Sequence, residues 1–316
     1  MRLAMQNEYN FIDPDVLLRM NDLLLMARTV VDGFTTGLHR SAGFGSSIEF
    51  AQYRAYVQGD DPRFVDWDLY ARTDRLHTKQ YQEETNLRCT LLVDCSASMG
   101  YASGAVTKFD YARMLAACLA MMLYRQKDAV GLLGFERELK LFISPRYSSQ
   151  QLRRIFVELN DLVPSGETDI PAALHYAGDV LPLRGVIILI SDLFQPPEEL
   201  LHFLKLLKAR RHDVLIFQIS DPAEQTFPFE QSMTFLDAEN EKELYVVPHS
   251  VREEYLKNRE QHFSGIQREC LATEIDLEEF CSAEPLDRAL HYFLMRRNRT
   301  VYAAAGRRNR MAIGGR

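Results

Sequence analysis

The stretch TLLVDCSASMG, residues 90–100, decides how the chain is read. Thr-Leu-Leu-Val runs without alternation into Asp94, and two hydroxyls spaced by two, Ser96 and Ser98, follow before Met-Gly. A continuous apolar run predicts a strand buried on both faces, as in a parallel sheet covered by helices. Polar side chains directly beyond such a strand have three uses: a nucleophile on a turn, an anion cradle, or oxygen ligands for a hard cation.

Outward from this strand the same pattern repeats. LRCTLLVD, DAVGLLGF, RGVIILISD and HDVLIFQIS read as strands, and ELKLFI as the second arm of a hairpin turned at Glu136-Arg137. Between them, KFDYARMLAACLAMMLYR, SSQQLRRIFVELNDL, DIPAALHYAGDVL and PPEELLHFLKLLKARR have apolar residues at helical spacing. SMTFLDAEN and KELYVVP predict an antiparallel pair turned at Glu239-Asn240, inserted before a helix over SVREEYLKNREQHFSGIQREC. ATEIDLEEF predicts a short strand and EPLDRALHYFLMRRN the last helix. Strands alternating with amphipathic helices predict a doubly wound, mainly parallel α/β sheet over residues 86–298. If Asp94 and Asp192 serve one site, LRCTLLVD and RGVIILISD are adjacent central strands.

The first 85 residues differ. DPDVLLRMNDLLLMART predicts one helix of about four turns starting after Asp13-Pro14. A glycine-rich stretch of alternating charge follows, carrying Phe50, Tyr53, Tyr56, Phe64, Trp67 and Tyr70. Those aromatics need a surface to pack on, so this segment is expected to be an irregular wrap over the rest of the chain. Residues 299–316, ending GRRNRMAIGGR, are expected to be a disordered basic tail.

The chain's 316 residues suffice for a large core, and 47% hydrophobic with 26% charged content is that of a soluble protein. A net charge of −7 disfavours general binding to nucleic acid or anionic membrane. The five cysteines form no Cys-x-x-Cys pair and most sit in apolar runs. Buried free thiols in a reducing compartment are expected, with no zinc site and no disulfide. With no signal-peptide core and no run of ~18 apolar residues, the expected location is cytoplasmic.

Open parallel sheets form sites at the carboxyl ends of their strands. Three polar signals belong there: Asp94 with Ser96 and Ser98, Thr168 in the loop PSGETDIPAAL, and Asp192 directly after VIILIS. Two carboxylates and three hydroxyls form an all-oxygen set suited to Mg²⁺, with Mn²⁺ also acceptable and zinc not.

Asp94-x-Ser96-x-Ser98 with Thr168 and Ser191-Asp192 resembles the metal-ion-dependent adhesion site of von Willebrand factor type A domains. The resemblance implies that fold and a bound metal that accepts an Asp or Glu carboxylate from a protein partner. EFAQYRAYVQGDDPRFVDWDLYARTDRLHTKQYQEE further resembles the signature of the bacterial family called domain of unknown function fifty-eight. Its motif residues correspond to Glu49, Phe50, Arg54, Tyr56, Gly59, Asp60, Asp61, Arg63, Asp66, Trp67 and Arg72. EPLDRALHYFLMRR is similar to that family's closing segment. Such proteins are associated with MoxR-type AAA+ ATPases in systems that remodel or mature other proteins. The resemblance therefore implies a non-enzymatic adaptor or co-chaperone with a MoxR-type partner and a protein client. The charged signature residues have two readings, an internal salt-bridge network around Trp67 or a partner-binding patch.

The alternative is a metal-dependent hydrolase or phosphotransferase using Asp94. Against it, Ser96 stands where an aspartyl phosphotransferase commonly carries a second aspartate. There is no Gly-x-Ser-x-Gly elbow and no Walker A sequence. None of the eight histidines falls in a motif, and His175 and His249 read as structural.

Overall fold

A computed structural model of the chain describes residues 13–20, 22–40, 52–55, 67–80, 87–167, 169–181, 184–238 and 242–295. Residues 36–40, 52–55, 67–68, 77–80, 174, 177, 199 and 203 are described by backbone alone. The chain divides into two compact units, one of residues 1–34 with 87–316 and one of residues 35–86.

Helix α1 (Pro14–Leu18) starts as the sequence predicts. The Asp13 carboxylate accepts the Asp15 N–H at 3.0 Å, and Pro14 sits where its missing N–H is not needed. The single helix expected here is instead two. Asp22 accepts the Leu25 N–H at 3.0 Å, a local side-chain bond that caps a new helix rather than continuing the old one. That helix, α2 (Leu23–Arg40), runs into the stretch expected to be irregular. Met26, Ala27, Val30, Val31 and Phe34 form its buried stripe, and Asp32 pairs with Arg125 at 2.7 Å.

The unit of residues 35–86 also has more regular structure than expected. β1 (Gln52–Ala55) and β2 (His77–Gln80) form an antiparallel pair with Tyr53 opposite Lys79, and α3 (Trp67–Thr73) lies between them in sequence. Arg72 is exposed in the last turn of α3. Glu49, Phe50, Tyr56, Gly59, Asp60, Asp61, Arg63 and Asp66 lie outside the described residues, as do the side chains of Arg54 and Trp67. The expected tail, 299–316, and the expected turn at Glu239-Asn240 lie outside them too.

The larger unit continues with β3 (Arg88–Asp94), α4 (Lys108–Arg125), β4 (Ala129–Phe135), β5 (Leu139–Arg146) and α5 (Ser149–Asp161). Then come α6 (Ile170–Val180), β6 (Val186–Ser191), α7 (Pro197–Ala209), β7 (Asp213–Ser220) and the short α8 (Pro222–Thr226). The hairpin β8 (Met233–Leu236) and β9 (Glu243–Val246), α9 (Pro248–Ala272), β10 (Asp276–Cys281) and a helix α10 over 286–295 complete it.

Six strands form one sheet in the order β10-β7-β6-β3-β4-β5. Every neighbouring pair is parallel except β4 with β5. This is the doubly wound, mainly parallel α/β fold, and β3 and β6 are adjacent at its centre, with Val93 opposite Ile190. Alternate strand residues face opposite layers. Leu92, Leu133, Leu189 and Ile216 share a core with Ile170 of α6, Leu200 and Leu204 of α7 and Ile266 of α9. On the other face α4 lies against β3, β4, β6 and β7 and touches α5, and the Phe217 and Phe280 rings meet Tyr292 of α10. Among the described residues no helix is long and apolar enough to cross a membrane.

At the sheet's β5 edge the register slips between Val130 and Leu132. A side chain at Gly131 would place its Cβ 2.6 Å from the Ile143 carbonyl oxygen and 2.8 Å from Pro145 N. Both are backbone atoms of the edge strand and neither can swing aside. Gly131→Ala is therefore expected to destabilise the chain by about 3 kcal/mol, the upper range for overpacking, read by thermal melting. An unchanged melting curve would mean that β5 relaxes freely.

Candidate functional site

Hydrogen bonding between β3 and β6 sets Asp94 beside Ser191 at the carboxyl end of the sheet. Asp94 is fully buried. One of its oxygens accepts the Ser96 N–H at 2.9 Å, and the other accepts the Ser191 hydroxyl at 2.6 Å. The chain then bends into a 3-10 turn over Ala97–Gly100, which directs both serines back across the strand ends. Ser98 Oγ donates to Asp192 Oδ2 at 2.9 Å, and Ser96 Oγ lies 3.0 Å from Ser98 Oγ. The single Ser98 proton is used on Asp192, so Ser96 is the donor of the pair.

Asp192 needs a backbone that turns sharply after β6. Leu193 takes it in the left-handed region, φ 58°, while its side chain is fully buried. A leucine there is strained, and such strain persists only where surrounding contacts hold it. The Leu193 N–H donates to Ser191 Oγ at 3.1 Å, and His262 Nε2 lies 2.8 Å from the Leu193 carbonyl.

The loop before α6 closes one side. The Ala97 N–H donates to the Gly166 carbonyl at 3.0 Å, and the Ser165 N–H to the Cys95 carbonyl at 2.8 Å. Thr168, in this same loop, lies outside the described residues. Of the five expected ligands the structure thus brings together Asp94, Ser96, Ser98 and Asp192.

Three participants went unrecognised as site members in the sequence reading. Ser191 appeared there only as the residue before Asp192. Lys108, the first residue of α4, donates to Asp192 Oδ2 at 2.8 Å and to Glu224 Oε1 at 2.6 Å. Glu224 belongs to α8, where its other oxygen accepts the Asp221 N–H at 2.9 Å in a capping box. The sequence signals were present: Asp-x-x-Glu at 221–224, and a lysine at a helix start, where the macrodipole favours negative charge.

Burial, and then the neighbouring Asp192 charge, raise the Asp94 pKa from 3.8 to about 7, with the Ser191 and Ser96 hydrogen bonds opposing them. Burial works against the Lys108 charge, but Asp192 and Glu224 outweigh it and hold its pKa above the usual value. The Cys95 thiol is pushed up to about 12 by burial and by Asp94, so it is neither a ready nucleophile nor a thiolate ligand.

A carboxylic acid whose pKa rises on folding favours the folded state below its unfolded pKa and loses that contribution as pH climbs through the folded value. For the chain in chelator, the Asp94 contribution is therefore complete below about pH 4 and lost by about pH 7. The full effect is on the order of 4 kcal/mol. Melting temperatures in chelator should be lower at pH 8 than at pH 5.5. A flat or rising profile over that window would show Asp94 to be an ordinary, low-pKa carboxylate.

The donor set fits a hard divalent cation. Asp94 and Asp192 are buried carboxylates close enough to repel, and the hydroxyls of Ser96 and Ser98 border them. Among the described residues no cluster of three or more His, Cys, Asp or Glu could hold a metal. With oxygen donors alone and two carboxylates, the set is of the kind that suits an ion keeping several waters, such as Mg²⁺, rather than zinc.

Residues 52–264 match the family model described as "Protein of unknown function DUF58". The chain is 25% identical over 264 residues to the uncharacterized protein Rv1480 of Mycobacterium tuberculosis, covering 81% of each. Its fold is similar to that of the conserved hypothetical protein BatB from Bacteroides thetaiotaomicron, with a TM-score of 0.47 and 15% identity over 66% of this chain and 98% of that one. It is also similar to the SpRpn10 VWA domain, with a TM-score of 0.39 and 15% identity over 65% and 94%.

Proposed function

The chain belongs to the DUF58 family, and from that premise we propose that it is a non-catalytic protein-interaction module whose binding depends on a metal ion. Asp94, Ser96, Ser98 and Asp192 are the residues that would hold Mg²⁺ or Mn²⁺, with Thr168 as the expected fifth. When bound among mostly neutral hydroxyls, the ion supplies uncompensated positive charge to which a carboxylate of another protein can bind. The observation that carries this reading is the Ser96–Ser98–Asp192 hydrogen-bonded chain beside Asp94, an all-oxygen cluster where β3 and β6 end.

The chain's own residues do the positioning. Ser191 and the Ser96 N–H fix both Asp94 oxygens, and Ser98 fixes one oxygen of Asp192. The hydrolase or phosphotransferase alternative is disfavoured on other grounds, since Ser96 stands where an aspartyl phosphotransferase commonly carries its second aspartate.

The family resemblance adds a MoxR-type AAA+ ATPase as the working partner and a protein client that supplies the Asp or Glu, in remodelling or maturation. A cytoplasmic setting belongs to the same proposal, supported by five buried cysteines, none of them in a disulfide.

Affinity purification of partners on the immobilised chain, once with Mg²⁺ and once with chelator, tests the reading. A partner retained with Mg²⁺ and released by chelator, and not captured by a Ser98→Ala chain, is the expected result. Capture that is indifferent to chelator would contradict it.

A further inference from the structure

Lys108 occupies a position that helix physics and solvation both oppose. It opens α4, where the macrodipole repels positive charge, and it is 1% exposed. The helix start does not need it, since the Thr107 hydroxyl already accepts the Asp110 N–H at 2.9 Å. Its ammonium is spent instead on Asp192 and Glu224, and it also lies 4.9 Å from the centre of the Phe194 ring. The Asp192 oxygen it binds is the one that accepts the Ser98 hydroxyl. Lys108 thus shares an oxygen atom with the candidate metal site.

Its surroundings are acidic. Asp192 and Glu224 bind it directly, Asp94 is linked to Asp192 through Ser96 and Ser98, and the fully buried Asp221 adjoins Glu224. Lys108 lowers the negative charge of this cluster by one unit, and without it the cluster would present that much more negative charge to an ion.

We propose that Lys108 is a specificity-determining residue of the metal site: its ammonium sets the cluster's charge for a divalent cation and orients Asp192 toward it. The proposal rests on the metal-dependent reading above. At separations of a few ångströms in a poorly solvated site, one added unit of charge on the ion should alter relative affinity by about tenfold or more.

The experiment uses the full chain and two probes, Mg²⁺ by calorimetry and Tb³⁺ by sensitised luminescence, with circular dichroism confirming that each variant is folded. Lys108→Met should raise the preference for Tb³⁺ over Mg²⁺ by about tenfold or more. Glu224→Gln should lower it, and the double variant, which restores the charge, should return close to wild type. A purely structural lysine would not give that compensation. A folded Lys108→Met chain with an unchanged ratio would overturn the proposal. If Lys108→Met does not fold, Glu224→Gln decides: a lowered ratio supports the proposal and an unchanged one overturns it. Wild-type chain that binds neither ion would overturn the metal-dependent reading itself. Wild-type binding with an indifferent Lys108→Met would remove only the role given to Lys108.

Discussion

Asp94→Asn is expected to make the chain more stable in chelator at pH 8 and unable to hold Mg²⁺. The two effects have one cause. Asp94 is buried beside Asp192, and its pKa is raised to about 7, so at pH 8 the folded chain confines two carboxylate charges near each other. Asparagine keeps the shape and can still accept the Ser96 N–H, while removing one of those charges. It loses the bond accepted from Ser191, worth about 1 kcal/mol, against a relief on the order of 4 kcal/mol. The net gain should raise the melting temperature by roughly 5 °C in a chain of this size. That gain should vanish near pH 4, where the folded chain already holds Asp94 protonated. Mg²⁺ affinity should fall by about a hundredfold or more, because the oxygen set loses one of its two negative charges. A destabilised variant would mean that the cluster's negative charge is already balanced within the protein.

Phe217→Ala should be a strongly damaging core substitution. Phe217 is fully buried in β7, with ring centres 5.3 Å from Phe280 and 6.0 Å from Tyr292, both near edge-to-face. It joins β7, the edge strand β10 and α10. Removing a buried phenyl ring costs about 3–5 kcal/mol, with the lost aromatic pairs among the causes. The melting temperature should drop by roughly 5–8 °C. Folded variant below that transition should bind Mg²⁺ as wild type does, because the phenyl ring makes none of the hydrogen bonds that position Asp94, Ser98 and Asp192. A loss of less than about 1 kcal/mol would show that β10 and α10 contribute little to the fold.

Much of this architecture was legible in the sequence because buried parallel strands leave little choice. LLV before Asp94 and IILI before Ser191 are apolar without alternation, which only a strand covered on both faces tolerates. The adjacency of β3 and β6 followed from the expectation that Asp94 and Asp192 serve one site, and the register bears it out. The capped start of α1 was equally local. Three features were not legible in the same way. Asp22 breaks the first helix, because its side chain outcompetes continuation of α1, a close contest that spacing alone does not decide. The β1–β2 pair joins short segments, Gln52–Ala55 and His77–Gln80, whose mixed charge masks any period of two. Lys108 and Glu224 are 116 residues apart, and their pairing depends on where α8 begins after β7. The Asp221-Pro222-Ala223-Glu224 cap could have located that start; the lysine's choice of partner could not have been read without the fold.

On the proposed reading, the oxygen cluster at the ends of β3 and β6 binds a divalent cation whose coordination a partner's carboxylate then completes. Titration of Mg²⁺ into the purified wild-type chain by calorimetry, alone and with a captured partner, tests it most directly. Saturable binding of one ion per chain, abolished by Asp94→Asn and strengthened by the partner, is the predicted result. No heat of binding for Mg²⁺ or Mn²⁺ from folded protein, even with partner present, would contradict the account.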